Sequence, residues 1–223
     1  MIVVEIGCGN KPGPFFEGAG EHFAVDAYAP DILEVLLART EMTPLVADAS
    51  DLGFDDESVD VVLARNVFGD IALGMSDEDR YDLAWAIKAL TEGEEVEGGE
   101  EALESFAAIE AESASKKIDI LRETGRILVV GGKLIVVEQE SPMVAERFFS
   151  GARQRDDFDL LEVFGIKHNV PLADVTPPNY ARAHGGHSKL QTWVATKRPS
   201  EPADHELPDL GGAGMGQSGI ELP

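Results

Sequence analysis

The chain has one cysteine, little positive charge and no long apolar run, and each scarcity removes a class of protein. Cys8 is alone among 223 residues and has no partner for an internal disulfide. Lysine and arginine total 18 against 42 aspartates and glutamates, a net charge of −24. A surface that acidic repels a phosphate backbone instead of releasing its counterions, so nucleic-acid substrates are disfavoured. A small basic groove stays compatible with this, because at physiological salt a Debye length of about 8 Å hides distant carboxylates from one another. The charge itself reads first as solubility; recruitment of a basic partner and a high-salt setting are narrower readings. The longest apolar runs, Val59 to Leu63 and Ile127 to Val137 with Gly131, Gly132 and Lys133 inside it, are strand-sized. Both fall short of the ~20 residues of a membrane span. The first strand pattern opens at Ile2, leaving no room for a secretory leader, so the expected compartment is cytoplasmic. No internal repeat is evident, and the length suits one α/β domain.

The most informative stretch is Ile2-Val3-Val4-Glu5-Ile6-Gly7-Cys8-Gly9-Asn10, which joins a buried strand to a glycine turn and an acid. Such a turn lets backbone approach a ligand closely. A second acid, Asp26, closes the next apolar run, Phe23-Ala24-Val25. Its offset is close to the ~20 residues at which nucleotide-binding α/β folds place a carboxylate on ribose hydroxyls. The pair predicts a bound nucleoside; the bland alternative is a structural turn beside a turn-forming aspartate.

Hydrophobic periodicity predicts strands near Ile2 to Ile6, His22 to Val25, Pro44 to Ala47, Val59 to Ala64, Lys133 to Glu138, Ile166 to Val170 and Leu190 to Thr196. Helical segments separate most of them. Strands that are apolar almost throughout suit a sheet covered on both faces by right-handed crossovers. The expected fold is α/β: a doubly wound, seven-stranded, mostly parallel sheet with an antiparallel strand at one edge, because a loop joins the last two strands. That domain spans residues 1–198. Within it, residues 91–115 carry an acidic insertion without lysine or arginine, a mobile loop at its start and a long helix resuming at Glu101. The tail, residues 199–223, is rich in Pro and Gly and is expected to be disordered.

Several blocks then fall in the order seen in class I S-adenosylmethionine-dependent methyltransferases, with Rossmann-like topology. Glu5-Ile6-Gly7-Cys8-Gly9 resembles that family's first motif, and Ala24-Val25-Asp26 resembles the end of its second strand with the ribose acid. Val46-Ala47-Asp48-Ala49, Leu52-Gly53-Phe54 and Asp56-Glu57-Ser58-Val59-Asp60-Val61-Val62 are similar to its adenine-contacting acid-Ala pair, loop and fourth strand. Leu121 to Leu134 is similar to its helix, turn and fifth strand. The resemblance implies S-adenosyl-L-methionine as cofactor, with Glu5, Gly7, Cys8, Gly9, Asp26, Ala27, Asp48, Ala49 and Asn66 around it. Glu5 would orient the loop by accepting N–H bonds or meet the amino group through water. Asp26 would accept from both ribose hydroxyls and Asp48 from the adenine amine, each with loop capping as its alternative. Two departures stand out. Lys11 replaces the motif's third glycine, with Gly13 two positions later, and the Pro-containing run from Lys11 to Gly20 is too short for a long first helix. The chain also begins at its first strand, so residues covering the acceptor must come from the Asp70 to Ser115 region, from another copy in a homo-oligomer, or from a partner protein.

Candidates for the chemistry itself are fewer. Arg65, Asn66, Phe68 and Asp70 follow the fourth strand, whose carboxyl end is where open α/β sheets bind ligands. His184 and His187 lie between the last two strands, where a histidine could deprotonate an acceptor. Two histidines without a nearby acid or cysteine cluster fall short of the three or four ligands of a zinc site, so no metal is expected. Cys8 reads as a packed thiol rather than a nucleophile. Tyr28, Trp85 and Tyr180 could line an aromatic acceptor pocket, with core packing as the default. The resemblance implies methyl transfer by direct displacement to oxygen or nitrogen of a small molecule or peptide. A methyltransferase-like scaffold that binds partners without turnover is the alternative. A nicotinamide-dependent oxidoreductase fits less well, because the spacing Gly7-Cys8-Gly9-Asn10-Lys11-Pro12-Gly13 departs from the dinucleotide fingerprint.

Overall fold

The computed structural model describes residues 1–9, 11–38, 41–70, 73, 99–138, 142–152, 164–184 and 191–199. Its elements run β1 (Ile2–Ile6), β2 (Glu21–Asp26), α1 (Ala29–Ala38), β3 (Thr43–Val46), β4 (Val59–Arg65), α2 (Gly99–Ile127), β5 (Leu128–Glu138), α3 (Pro142–Ala152), β6 (Phe164–His168), a 3-10 turn (Leu172–Asp174), α4 (Pro178–His184) and β7 (Gln191–Lys197). The strands form one seven-stranded sheet in the order β3-β2-β1-β4-β5-β7-β6. Pairs from β3 through β5 are parallel, while β7 runs antiparallel to both β5 and β6. This is the expected doubly wound, mostly parallel Rossmann-like sheet, with the antiparallel pair β6–β7 at one edge. The connection between β6 and β7 holds the 3-10 turn and the two-turn α4 where a plain loop was expected.

Alternation along the strands splits the core by sheet face. Val4, Ile6, Val62, Ala64, Leu134 and Val136 share one cluster with Ile120 and Leu121 of α2 and Phe148 and Phe149 of α3. Val3, Val61, Leu63, Ile135 and Val137 point the other way, onto Phe16, Leu172 and Tyr180. Coverage on both faces explains why these strands are apolar at consecutive positions. The end of α2 is tied down by the chain entering β4: Glu57 N–H donates to Arg126 O at 3.0 Å and Ser58 N–H to Ile127 O at 2.8 Å. Carbonyls that a helix terminus leaves open are thereby satisfied.

Two expectations are altered. The strand expected from Lys133 begins at Leu128, so Gly131 and Gly132 lie inside β5. Pairing steps from Val59↔Leu128 to Val61↔Lys133, so β5 bulges, and Gly131 takes φ +83° to allow it. The long helix begins at Gly99, two residues before Glu101. Residues 91–98 of the acidic insertion and residues 200–223 of the tail lie outside the described residues. Among the described residues, no helix is long and apolar enough to cross a membrane.

Candidate active site

Parallel registers bring the carboxyl ends of five strands to one edge of the sheet. Ile6 pairs with Val25 and Ala64, Asp26 with Val46, and Arg65 with Val137. The chain leaves β1 toward β2 on one side and β4 toward β5 on the other, so the ends of β1 and β4 flank the point where strand order reverses. Open α/β sheets bind ligands in that crevice.

Gly7 and Gly9 adopt φ +61° and +56°, a left-handed conformation that glycine takes without a Cβ penalty. Asp26 closes over this turn. Its Oδ2 accepts Gly9 N–H at 2.9 Å and its Oδ1 accepts Tyr28 N–H at 2.9 Å. Asp26 is only half-buried, and each oxygen keeps a lone pair beyond the one used. Ala27 and Tyr28 beside it are exposed. Cys8 packs inward, with its N–H on Val25 O at 3.2 Å and its thiol on Gly9 O at 3.3 Å. Burial, reinforced by Glu5 and Asp26, pushes that thiol up to about 12, so it stays protonated and is no nucleophile.

Asp48 stands two residues past the end of β3, and the Ala47 N–H joins Asp26 O at 3.1 Å. Its Oδ1 accepts the Ser50 N–H at 2.9 Å and Oγ–H at 2.7 Å, and its Oδ2 accepts from Lys116 of α2 at 2.5 Å. Burial opposes ionisation, but these bonds and the Lys116 charge outweigh it and hold the carboxyl below its usual range. Ala49 packs partly buried on the main core. Leu52 N–H donates to Glu123 Oε1 of α2 at 2.8 Å, and Glu123 pairs with Arg126 at 2.7 Å, fixing the loop between β3 and β4 to α2.

Glu5 lies on the opposite sheet face from the core beneath α2, fully buried. Both of its oxygens accept the Gly13 N–H, at 2.9 and 3.0 Å, and Arg65 Nη2 stands 3.8 Å from Oε1 while donating to Lys11 O. His22, also fully buried, accepts Phe16 N–H on Nδ1 at 3.1 Å, and its Nε2 is 3.8 Å from Glu5 Oε2. Tyr180 of α4 lies against Gly13, where an added Cβ would come 2.6 Å from its ring, and Asn179 donates to Phe15 O at 2.6 Å. The described residues 11–20 form no helix, and this buried polar cluster shapes the run between β1 and β2 instead.

Burial lowers the His22 pKa to about 4, with the Glu41 charge opposing the shift, so the ring is neutral at physiological pH. The unfolded chain then binds the extra proton between roughly pH 6.5 and the native value, and this component of stability is lost as pH falls through that window. His22→Gln keeps an oxygen for Phe16 N–H. Relative to it, the wild type should lose about 3 kcal/mol more on going from about pH 7 to about pH 4 in denaturant titrations.

The loop after β4 completes the crevice. Asn66 takes φ +56° and donates its N–H to Val137 O at 3.0 Å. Val67 packs on the glycine turn so closely that a Cβ at Gly7 would stand 2.6 Å from its Cγ2. Phe68 N–H donates to Glu138 Oε1 at 3.0 Å, and Asp70 O accepts from Ser113 of α2 at 3.1 Å. Glu138 and Lys117, both buried, were not singled out from the sequence. Glu138 ends the run Leu134 to Val137 as Asp26 ends its own, so the same strand-end signal was available.

Asp26, Asp48, Asn66, Asp70 and the Gly7 turn are thus gathered at the carboxyl edge, whereas Glu5 lies below the turn. His184 is the last residue of α4, with its side chain outside the described residues, as are His187 and Trp85 altogether. Tyr180 is core, not pocket lining. Among the described residues, no group of three His, Cys, Asp or Glu could hold a metal ion.

Residues 4–90 match the family model described as "Methyltransferase domain". No curated protein sequence matches the chain. Solved structures similar to it include a chain from Sulfolobus solfataricus provisionally assigned as a type 11 methyltransferase, at 19% identity and a TM-score of 0.48 over 92% of this chain and 88% of that one. A TehB-like SAM-dependent methyltransferase from Corynebacterium glutamicum is similar at 14% identity and a TM-score of 0.46, over 88% of this chain and 80% of that one. A 16S rRNA N2 G1207 methyltransferase from T. thermophilus, in complex with AdoMet and guanosine, is similar at 10% identity and a TM-score of 0.48, over 90% of this chain and 36% of that one.

Proposed function

We infer, from the methyltransferase-domain match over residues 4–90 as premise, that the protein binds S-adenosyl-L-methionine and transfers its methyl group by direct displacement to oxygen or nitrogen of a small molecule or peptide. The observation that carries this reading is the Asp26 carboxylate, which grips the glycine turn at Gly9 and keeps lone pairs open at the carboxyl end of β2, next to β1. The residues fit the cofactor's parts. Asp26 would accept the ribose hydroxyls, the turn from Gly7 to Gly9 would face the methionine portion, and Asp48 with the Ala49 amide would meet the adenine edge. When bound, the cofactor supplies a sulfonium methyl, an electrophile that needs no metal. The chain's own work is alignment, where most of the rate gain of such a displacement arises. Asn66 and Asp70 would stand toward the acceptor, and the acidity of the chain argues for an acceptor that is not a polyanion.

Calorimetry with S-adenosylhomocysteine tests the reading. Saturable binding is expected, and an intact chain that binds nothing at millimolar ligand overturns it. Formation of S-adenosylhomocysteine from S-adenosyl-L-methionine in the presence of candidate amine and hydroxyl acceptors then separates an enzyme from a scaffold.

A further inference from the structure

At the carboxyl ends of β4 and β5 four elements converge on a buried pair of charges, Glu138 and Lys117, that the methyl-transfer reading leaves unused. Glu138 closes β5 with no exposed surface. Its Oε1 accepts the Phe68 N–H at 3.0 Å, and the adjacent Gly69 amide favours the charged form of the carboxyl. Its Oε2 has no hydrogen-bond partner among the described residues. Lys117, on α2 and also buried, faces it with Asp70, and its ammonium stands 5.8 Å over the Phe148 ring of α3. A buried acid costs stability unless its position serves another purpose, and here the purpose is visible in what it touches. Phe68 and Gly69 follow Val67 directly, and Val67 is the side chain against which Gly7 is packed. The contacts therefore run unbroken from the β5 carboxylate, through the backbone of the loop after β4, to the glycine turn.

We propose that Glu138 is a positioning residue for the crevice: its carboxylate anchors the Phe68 and Gly69 amides, and through Val67 this seats the Gly7 turn for its ligand. The inference rests on the cofactor reading only for the identity of that ligand. A carboxylate holds two N–H groups more strongly than a neutral carboxyl does, so the anchor strengthens as Glu138 ionises. Desolvation raises its pKa to about 7, against the Gly69 and Phe68 amides and Lys117, which lower it, while Asp70 raises it further. The groups facing Glu138 from the described residues are Lys117 on α2 and Asp70 on the loop; Glu110 acts on Lys117. Lys117 is pulled down by burial and held up by Asp70, Glu138 and Glu110. Seating of the turn should therefore respond to pH near neutrality.

The test uses the full chain, S-adenosylhomocysteine as probe, and amide exchange at Phe68 and Gly69 read by NMR without ligand. The wild type should bind the probe about tenfold more tightly at about pH 8 than at about pH 6 and protect the two amides more at the higher pH. Glu138→Gln, which keeps one acceptor oxygen, should show a flat pH profile in both readouts. Glu138→Ala should weaken binding by about tenfold throughout and expose both amides; should it fail to fold, the glutamine variant decides alone. A glutamine variant with wild-type pH dependence in affinity and exchange overturns the proposal. If the wild type binds no probe, the cofactor reading fails and the exchange measurement judges the inference: pH-dependent protection lost in Glu138→Gln supports it, and unchanged protection sinks it.

Discussion

Asp26→Ala is expected to weaken S-adenosylhomocysteine binding by at least about 100-fold, the largest effect of any single side-chain truncation at the carboxyl edge. Two losses combine. The variant removes the acceptor for the ribose hydroxyls, where hydrogen bonds to a charged group contribute about 1.5–3 kcal/mol each. It also strips the Gly9 and Tyr28 amides of their partners, and Gly9 sits in the turn that would face the rest of the ligand. Asp26→Asn separates the two. Its amide can keep one backbone N–H on its remaining oxygen while presenting a donor where a hydroxyl hydrogen must go, so a loss of about tenfold is expected. Because Asp26 is half-buried at a strand end, neither variant should greatly lower thermal stability. A truncation that binds the probe like wild type, with its fold intact by circular dichroism, would detach the carboxylate from the ribose and with it the nucleoside reading.

What could be read from the residues, and what could not, divides along a physical line. Strand positions follow from apolar runs and strand-end acids, which are local signals; β1 was legible to the residue and Asp26 by its place after Val25. The bulge in β5 was not, since Gly131-Gly132 in an apolar run reads equally as a turn between elements, and only the register against Val59 and Val61 decides. The buried cluster of Glu5, His22 and Tyr180 was invisible because it joins β1, β2 and α4, distant along the chain. Glu5 drew notice as a motif residue, yet the geometry spends both its oxygens on Gly13. Asp48 shows the same limit. Its place after β3 marked it for the adenine, whereas its contacts with Ser50 and Lys116 depend on where α2 docks. Glu138 carried the strand-end signal but no motif to go with it, and its meaning emerged only from the amides of the neighbouring loop.

Gly7→Ala should both destabilise the chain and abolish binding, for two separable reasons. A Cβ at this position meets Val67 Cγ2 at 2.6 Å, far inside contact distance, and the φ of +61° is one that an L side chain adopts at a cost of roughly 1–2 kcal/mol. Overpacking against a side chain buried to 5% exposure adds about 1–3 kcal/mol. The sum, about 2–5 kcal/mol, is a large share of the stability of a domain this size. Val67→Ala alone removes two methyls from a buried position and should cost about 1–2 kcal/mol. The double variant Gly7→Ala with Val67→Ala is the decisive one, because the Cγ2 that the new methyl strikes is gone. Its loss should be smaller than the sum of the single losses by about 1–3 kcal/mol, a coupling measurable by a double-mutant cycle in urea. Binding should recover only in part, since the backbone strain of a non-glycine at φ +61° persists and the turn has lost its packing partner. Strict additivity would mean that Val67 does not seat the turn, and the route from Glu138 to the crevice would then be severed at its last link.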